Sequence, residues 1–220
     1  MDLVLLACNT ASARALRSLQ QDYLPSHFPD RRLLGIIRPS AEPLARIPIG
    51  DVANRPRPET TGKFAILGTR ETVRSRSYTL ELRKPAPSLE VWQQECPIWA
   101  ALVEACEITG ASAEWFVQRY LHQLLEQCGK LDRVLLACTH YTAVLPLIER
   151  RLPEGVEVLT QAELIEERLA DWLERHPEFE TRLPKTRTRR FFTTDDHLHF
   201  CQVAYTILGM EVECETIAID

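Results

Sequence analysis

The pentapeptide Val-Leu-Leu-Ala-Cys occurs twice in this 220-residue chain, at residues 4–8 and again at residues 134–138. A continuous apolar run of this kind is typical of a strand that is buried on both faces of a parallel sheet. Each copy is followed by small polar residues of the type that open a helix, namely Asn9, Thr10, Thr139 and His140. The repeat therefore predicts two strand–turn–helix units, each with a cysteine at the carboxyl end of its strand.

Strand-like and helix-like patterns alternate along most of the chain. Further strands are predicted at residues 33–37, 64–67, 89–92, 156–159, 189–193 and 212–217. Helices are predicted at residues 70–82, 98–107, 112–127, 142–151, 163–174 and 196–208. This alternation indicates an α/β fold with mainly parallel sheets flanked by helices. Ligands of such folds bind beyond the carboxyl ends of the strands, which is where Cys8 and Cys138 are expected.

Composition and cysteine spacing exclude several classes of partner. The seven cysteines are odd in number and form no Cys-x-x-Cys pair, which fits neither a zinc site nor a disulfide framework. The net charge of −5 argues against nucleic acid. No stretch approaches the roughly 18 apolar residues of a membrane helix, and no signal peptide opens the chain. We therefore expect a cytoplasmic protein with reduced thiols and with no metal, nucleic-acid or membrane partner.

The matched context of Cys8 and Cys138 points to chemistry, although a free cysteine is more often a small core residue. A helix N-terminus stabilises a thiolate, so both thiols are expected to have a lowered pKa. A cysteine nucleophile normally needs a histidine base, and His140 accompanies only the second copy. Two matched thiols suit a symmetric task better, in which one removes a proton from a carbon and the other returns one to the opposite face.

Five motifs then occur in a recognisable order. They are A-C-N-T-A-S at 7–12, G-T-R-E-T-V at 68–73, E-C-P-I at 95–98, A-C-T-H-Y at 137–141 and F-F-T-T-D at 191–195. With these motifs the chain resembles the glutamate racemases of bacterial cell-wall synthesis. The resemblance implies two similar α/β domains with the active site between them. Residues 1–34 and 146–220 would form the first domain, and residues 35–145 the second.

The resemblance also implies an assignment of the site. Cys8 and Cys138 would act on opposite faces of glutamate, with His140 and Glu104 assisting the second thiol. Substrate would be bound by residues that match the family's contacts, namely Asn9, Thr10, Thr69, Thr72, Thr139 and His140. No pyridoxal phosphate or metal would be used, and the protein would be a homodimer that supplies D-glutamate for peptidoglycan.

Purely structural roles stay open for three of these residues. Thr69 follows Gly68 and could simply cap a helix. Glu104 could be an exposed helix residue, and His140 a residue of a helical turn.

One departure from the family leaves other functions open. The Asp-Ser-Gly motif of the family's N-terminal part does not occur in the sequence, so the first domain is expected to be incomplete at its N-terminus. One alternative is an inactive truncated remnant that only binds a ligand or partner, in which case this chain alone would be inactive. Another is an aspartate or other amino-acid racemase of the same superfamily. The histidine at 140 favours glutamate, because aspartate-acting relatives tend to carry Glu after Cys-Thr.

Overall fold

The computed structural model describes residues 2–51, 56–186 and 188–219. The strands are β1 (Leu3–Leu6), β2 (Arg32–Gly35), β3 (Gly62–Gly68), β4 (Leu89–Glu95), β5 (Arg133–Ala137), β6 (Glu157–Leu159), β7 (Phe191–Thr193) and β8 (Cys214–Thr216). The first helices are α1 (Asn9–Arg14), α2 (Leu16–Ser18), α3 (Leu24–His27), α4 (Ile37–Leu44), α5 (Arg70–Ser75) and α6 (Ser77–Arg83). The later helices are α7 (Pro97–Glu104), α8 (Ala111–Cys128), α9 (Leu145–Glu149), α10 (Gln161–Glu174), α11 (Pro177–Glu180) and α12 (His197–Leu208).

The strands pair in parallel, which confirms the predicted α/β class. β1 pairs with β2, β7 pairs with β8, and a four-stranded sheet has the order β4-β3-β5-β6. In this sheet Gly68 lies opposite Ala137, so β3 and β5 end at the same edge. Thr69 and Cys138, the residues that follow these two strands, are therefore brought to one edge of the sheet.

Both faces of the four-stranded sheet are covered by helices. Phe64, Ile66 and Leu135 face α4 and α6, whose buried side chains include Leu44 and Leu82. The alternate residues of the same strands, Ala65, Leu67, Val134 and Leu136, face α7 and α8 on the other side. This burial on both faces explains why β5 is a continuous apolar run rather than an alternating one.

Two helices differ from the predicted pattern. The helix predicted at residues 70–82 is divided into α5 and α6 at Arg76, which has a positive φ of 55°. The Ser75 side chain explains the break, because its hydroxyl donates to the carbonyl oxygen of Thr72 at 2.6 Å and accepts from the N–H of Ser77 at 3.2 Å. The second Val-Leu-Leu-Ala-Cys copy leads into a 3₁₀ helix at Thr139–Val144 before α9 begins.

The later part of the chain contributes to more than one sheet. β6 pairs with β5, so the four-stranded sheet extends past residue 145, the predicted end of the second domain. Arg182 pairs with Asp2 at 2.5 Å, which ties the segment after α11 to the start of β1. The division of the chain into two domains stays a prediction. No helix in the described ranges has the length and apolar character needed to cross a bilayer.

Candidate active site

The two repeated cysteines occupy equivalent local positions. Cys8 directly precedes α1, and Cys138 directly precedes the 3₁₀ helix at Thr139–Val144, both with an extended backbone. The predicted strand–turn–helix geometry is thus present twice. The surroundings differ, because Cys8 is exposed whereas Cys138 is only 8% exposed. The two sulfurs are close enough for a charge on Cys8 to raise the pKa of Cys138.

Burial dominates the ionisation of Cys138. Loss of solvent is the largest cause that raises the pKa of its thiol to about 11; the nearby Cys8 also acts to raise it, and the backbone N–H groups of His140 and Tyr141 act to lower it. The expectation of a lowered pKa is therefore wrong for Cys138. The N–H groups at the start of the helix do favour the thiolate, but they do not offset its desolvation. Near neutral pH this thiol keeps its proton.

A chain of three side chains extends from Cys138. Its sulfur lies 3.8 Å from Nδ1 of His140, and Nε2 of His140 lies 2.6 Å from a carboxylate oxygen of Glu104. The other oxygen of Glu104 lies 3.4 Å from Nε2 of His199 on α12. With Nε2 of His140 donating to Glu104, Nδ1 is the nitrogen that can accept a proton from the thiol. Glu104 is 48% exposed, yet it orients His140 rather than only facing solvent.

Three threonine hydroxyls form a second chain at the same edge of the sheet. Thr10 on α1 bonds to Thr69 at 3.0 Å, and Thr69 bonds to Thr72 at 3.0 Å. The hydroxyl of Thr69 also accepts the backbone N–H of Thr72 at 3.3 Å, which confirms its role as the cap of α5. The bond from Thr10 to Thr69 joins the predicted first domain to the predicted second one.

The side chain of Asn9 is held inside the protein. It is 2% exposed, and its Nδ2 donates to Oε1 of Gln161 at 2.6 Å. Its Oδ1 accepts from the Tyr78 hydroxyl at 2.6 Å and from Nε2 of Gln161 at 3.2 Å. The same Nε2 reaches Ser40 at 2.8 Å and Tyr78 at 2.9 Å. Asn9 is predicted to bind substrate, but in this structure its amide nitrogen and its amide oxygen both bond to residues of the chain.

The remaining predicted residues fall into two groups. Thr139 is exposed beside Cys138, whereas Thr72 is fully buried beneath Thr69. No sequence pattern indicates a role for Gln161, whose partner Asn9 lies 152 positions away. His199 belongs to a His-Leu-His sequence, but nothing in that sequence indicates Glu104 as its partner. Among the described residues, no group of three or more His, Cys, Asp or Glu side chains could hold a metal ion.

Comparison with known proteins identifies relatives of this arrangement. No protein-family model matches the chain. The glutamate racemase of Phenylobacterium zucineum is 37% identical over 206 residues, which cover 89% of this chain and 70% of that protein. A glutamate racemase isoform of Bacillus anthracis superposes with a TM-score of 0.79 at 26% identity, over 100% of this chain and 74% of that one.

A third comparison extends the likeness in fold. The glutamate racemase of Francisella tularensis, solved in complex with D-glutamate, gives a TM-score of 0.74 at 21% identity, with coverage of 99% of this chain and 74% of that one. The extent and level of identity to the Phenylobacterium enzyme decide the family. The chain belongs to the glutamate racemase family.

Proposed function

We propose that this chain interconverts L- and D-glutamate by proton transfer between Cys8 and Cys138. The observation that carries the proposal is the pair of equivalent strand-end thiols, close enough to interact electrostatically, in a member of the glutamate racemase family. Inversion at a carbon needs a base on one face and an acid on the other, and two thiols can exchange these roles.

The unequal burial of the two thiols supports an assignment of the starting protonation states. Because the pKa of Cys138 is raised to about 11, Cys138 begins one direction of the reaction as the thiol that donates a proton. Cys8, which is exposed, is the base that removes the α-hydrogen in that direction. After transfer, Cys8 carries the abstracted hydrogen and Cys138 is left as the thiolate. That state is the starting point for the opposite enantiomer.

The opposite direction requires Cys138 to act as the base, and His140 and Glu104 support this role. The Nδ1 atom of His140 can take the thiol proton, and the carboxylate of Glu104 stabilises the imidazolium that results. Glu104 and His140 thereby offset part of the desolvation that opposes the Cys138 thiolate. We propose that this pair is catalytic, and that Cys8 needs no such partner because it faces solvent.

The polar side chains divide into those that contact glutamate and those that hold the site in shape. Thr10, Thr69 and Thr139 are the proposed substrate contacts, since each has at least partial exposure near a catalytic cysteine. Thr72 is buried and bonded to Thr69, so we assign it a positioning role. Asn9 has the same role, because its amide is bonded to Gln161 and Tyr78 and fixes the residue that follows Cys8.

We also propose a cytoplasmic homodimer that works without a cofactor and supplies D-glutamate for peptidoglycan. The cytoplasm is supported by the seven cysteines, all of which are free thiols. The dimer is supported by Leu198, Tyr205 and Leu208, which are exposed at helical spacing on α12 and offer a second copy an apolar surface. Light scattering should give twice the mass of one chain, and a monomer would contradict this.

The activity itself is tested by incubating the purified chain with L-glutamate and measuring D-glutamate by chiral chromatography. D-Glutamate is expected, and the same assay with D-glutamate should yield L-glutamate. L-Aspartate serves as the matched control, because it differs by a single methylene group. A folded chain that produces no D-glutamate would refute the proposal, and faster turnover of aspartate would move the assignment to an aspartate racemase.

A further inference from the structure

Two cysteines outside the candidate active site face one another at the end of the chain. Cys201 lies on α12, Cys214 is the first residue of β8, and their sulfur atoms are 3.7 Å apart. The Cys201 thiol donates to the carbonyl oxygen of Val212 at 3.2 Å, and the Cys214 thiol donates to that of His197 at 3.6 Å. Each thiol therefore points toward the element that carries the other. Both residues are partly exposed, so a small reagent can reach them.

The distance between the sulfur atoms of Cys201 and Cys214 is compatible with a disulfide bond after a small movement of the two residues. A disulfide has a sulfur–sulfur length of about 2.0 Å, so the two atoms must approach by about 1.7 Å. α12 ends at Gly209, which has a positive φ of 67°, and this turn brings the chain back toward the helix.

We propose that Cys201 and Cys214 are a redox-responsive pair that hydrogen peroxide converts to a disulfide. Peroxide first oxidises one thiol to a sulfenic acid and releases one molecule of water. The second thiol then attacks the sulfenic sulfur, the sulfur–oxygen bond breaks, and a second molecule of water leaves with the thiol proton. One peroxide is reduced for each disulfide formed, and a dithiol reductant reverses the change.

The disulfide would fasten α12 to β8. It closes a loop between positions 13 apart in sequence, which restricts the unfolded chain and stabilises the folded one. For a chain of this size the melting temperature is expected to rise on the order of 5–10 °C. α12 also carries His199, which contacts Glu104, so the disulfide fixes a helix that borders the candidate active site.

The chain offers a direct chemical readout. Arg190 is the last lysine or arginine of the sequence, so trypsin releases both cysteines in one peptide, residues 191–220. The native full-length chain is treated with hydrogen peroxide, and its free thiols are blocked with N-ethylmaleimide. After digestion with trypsin, the mass of the peptide is measured by mass spectrometry. The proposal is supported by a peptide that carries no maleimide and is two hydrogen atoms lighter than the reduced peptide. Treatment with dithiothreitol must then allow maleimide to label both cysteines.

Matched variants separate this pair from the other cysteines. Cys201→Ser and Cys214→Ser should each abolish the closed peptide and the rise in melting temperature. Cys106→Ser should preserve both, although Cys106 also contacts α12 through Thr206 at 3.3 Å. The proposal is overturned if peroxide leaves both thiols open to maleimide, if either links to another cysteine, or if the bond forms only in denaturant. None of these readouts depends on racemisation.

Discussion

Replacing Tyr78 by Phe and Gln161 by Leu tests whether the buried hydrogen bonds next to Cys8 hold the start of α1. Tyr78 is fully buried and Gln161 is 6% exposed, so neither side chain can turn to water when a partner is lost. Burial accordingly raises the pKa of Tyr78 far above its usual range. The two substitutions remove different numbers of partners from Asn9, and this difference sets their relative effects.

The Tyr78→Phe change leaves no buried atom without a partner. Oδ1 of Asn9 keeps its bond from Gln161, and Nε2 of Gln161 keeps Ser40 as an acceptor. The expected loss is about 1 kcal/mol of unfolding free energy, the net contribution of a hydrogen bond. Gln161→Leu instead removes the acceptor of the Asn9 amide nitrogen, which becomes a buried unsatisfied donor. Its expected loss is about 1–3 kcal/mol, the cost of leaving a buried neutral donor unsatisfied.

Urea unfolding followed by circular dichroism measures both losses. Tyr23→Phe is the matched control, because it removes the same hydroxyl from a side chain that is 47% exposed. This control should change stability by less than about 0.5 kcal/mol. The expected order of destabilisation is Gln161→Leu, then Tyr78→Phe, then Tyr23→Phe. Equal effects of the two Tyr→Phe substitutions, or a larger effect for Tyr78→Phe than for Gln161→Leu, would refute the reasoning.

Four further predictions concern the catalytic groups and the side chains that support them. Burial raises the pKa of Cys138 from 9.0 to about 11, so the folded chain holds the thiol proton more tightly than the unfolded chain does. This difference stabilises the fold fully below the ordinary pKa of the thiol, and the stabilisation is lost as the pH rises toward 11. The Cys138→Ala variant should therefore lose less unfolding free energy than the unmodified chain between about pH 8 and pH 11. Glu104→Gln removes the charge that orients His140 and should lower kcat by about 100-fold with little change in KM. His199→Gln acts on Glu104 through an exposed pair and should lower kcat by less than about 10-fold. Racemisation should survive dialysis against a chelator and treatment with hydroxylamine, but not iodoacetamide.

Each of these expectations has an outcome that contradicts it. If Cys138→Ala and the unmodified chain lose stability in parallel at high pH, burial does not control the Cys138 thiol. A Glu104→Gln variant with normal kcat, or one that changes only KM, would remove Glu104 from the proton transfer. Recovery of lost activity by added metal or pyridoxal phosphate would show that the enzyme uses a cofactor.

Much of the four-stranded sheet could be predicted from the sequence, because its central strands β3 and β5 contain continuous apolar runs. The apolar part of the second repeat, residues 134–137, forms β5 together with Arg133. α4 was not predicted, and Ile37, its first residue, was assigned to a strand. Ile36 and Ile37 extend the apolar run of β2, and two prolines in α4 obscure its helical pattern. Only packing of Ile37, Ala41 and Leu44 against the sheet reveals the helix.

The candidate site also contains features that the sequence predicts and features that it does not. The two cysteines could be found because a five-residue repeat places them in the same local context. The sequence did not predict the raised pKa of Cys138, because the degree of burial is set by packing across the whole domain. The role of Gln161 could not be predicted, because its bonds to Asn9 and Ser40 join positions more than 100 residues apart.

Exchange of the α-hydrogen of glutamate with deuterated water is the most direct test of the two-thiol mechanism. Cys8→Ala and Cys138→Ala are each incubated with L-glutamate and separately with D-glutamate, and deuterium at the α-carbon is measured by mass spectrometry. Cys106→Ser serves as the control and should racemise normally. Both active-site variants should lose racemisation, and each should lose exchange from a different enantiomer. If either variant racemises at the full rate, or if both lose exchange from the same enantiomer, Cys8 and Cys138 are not the opposed bases.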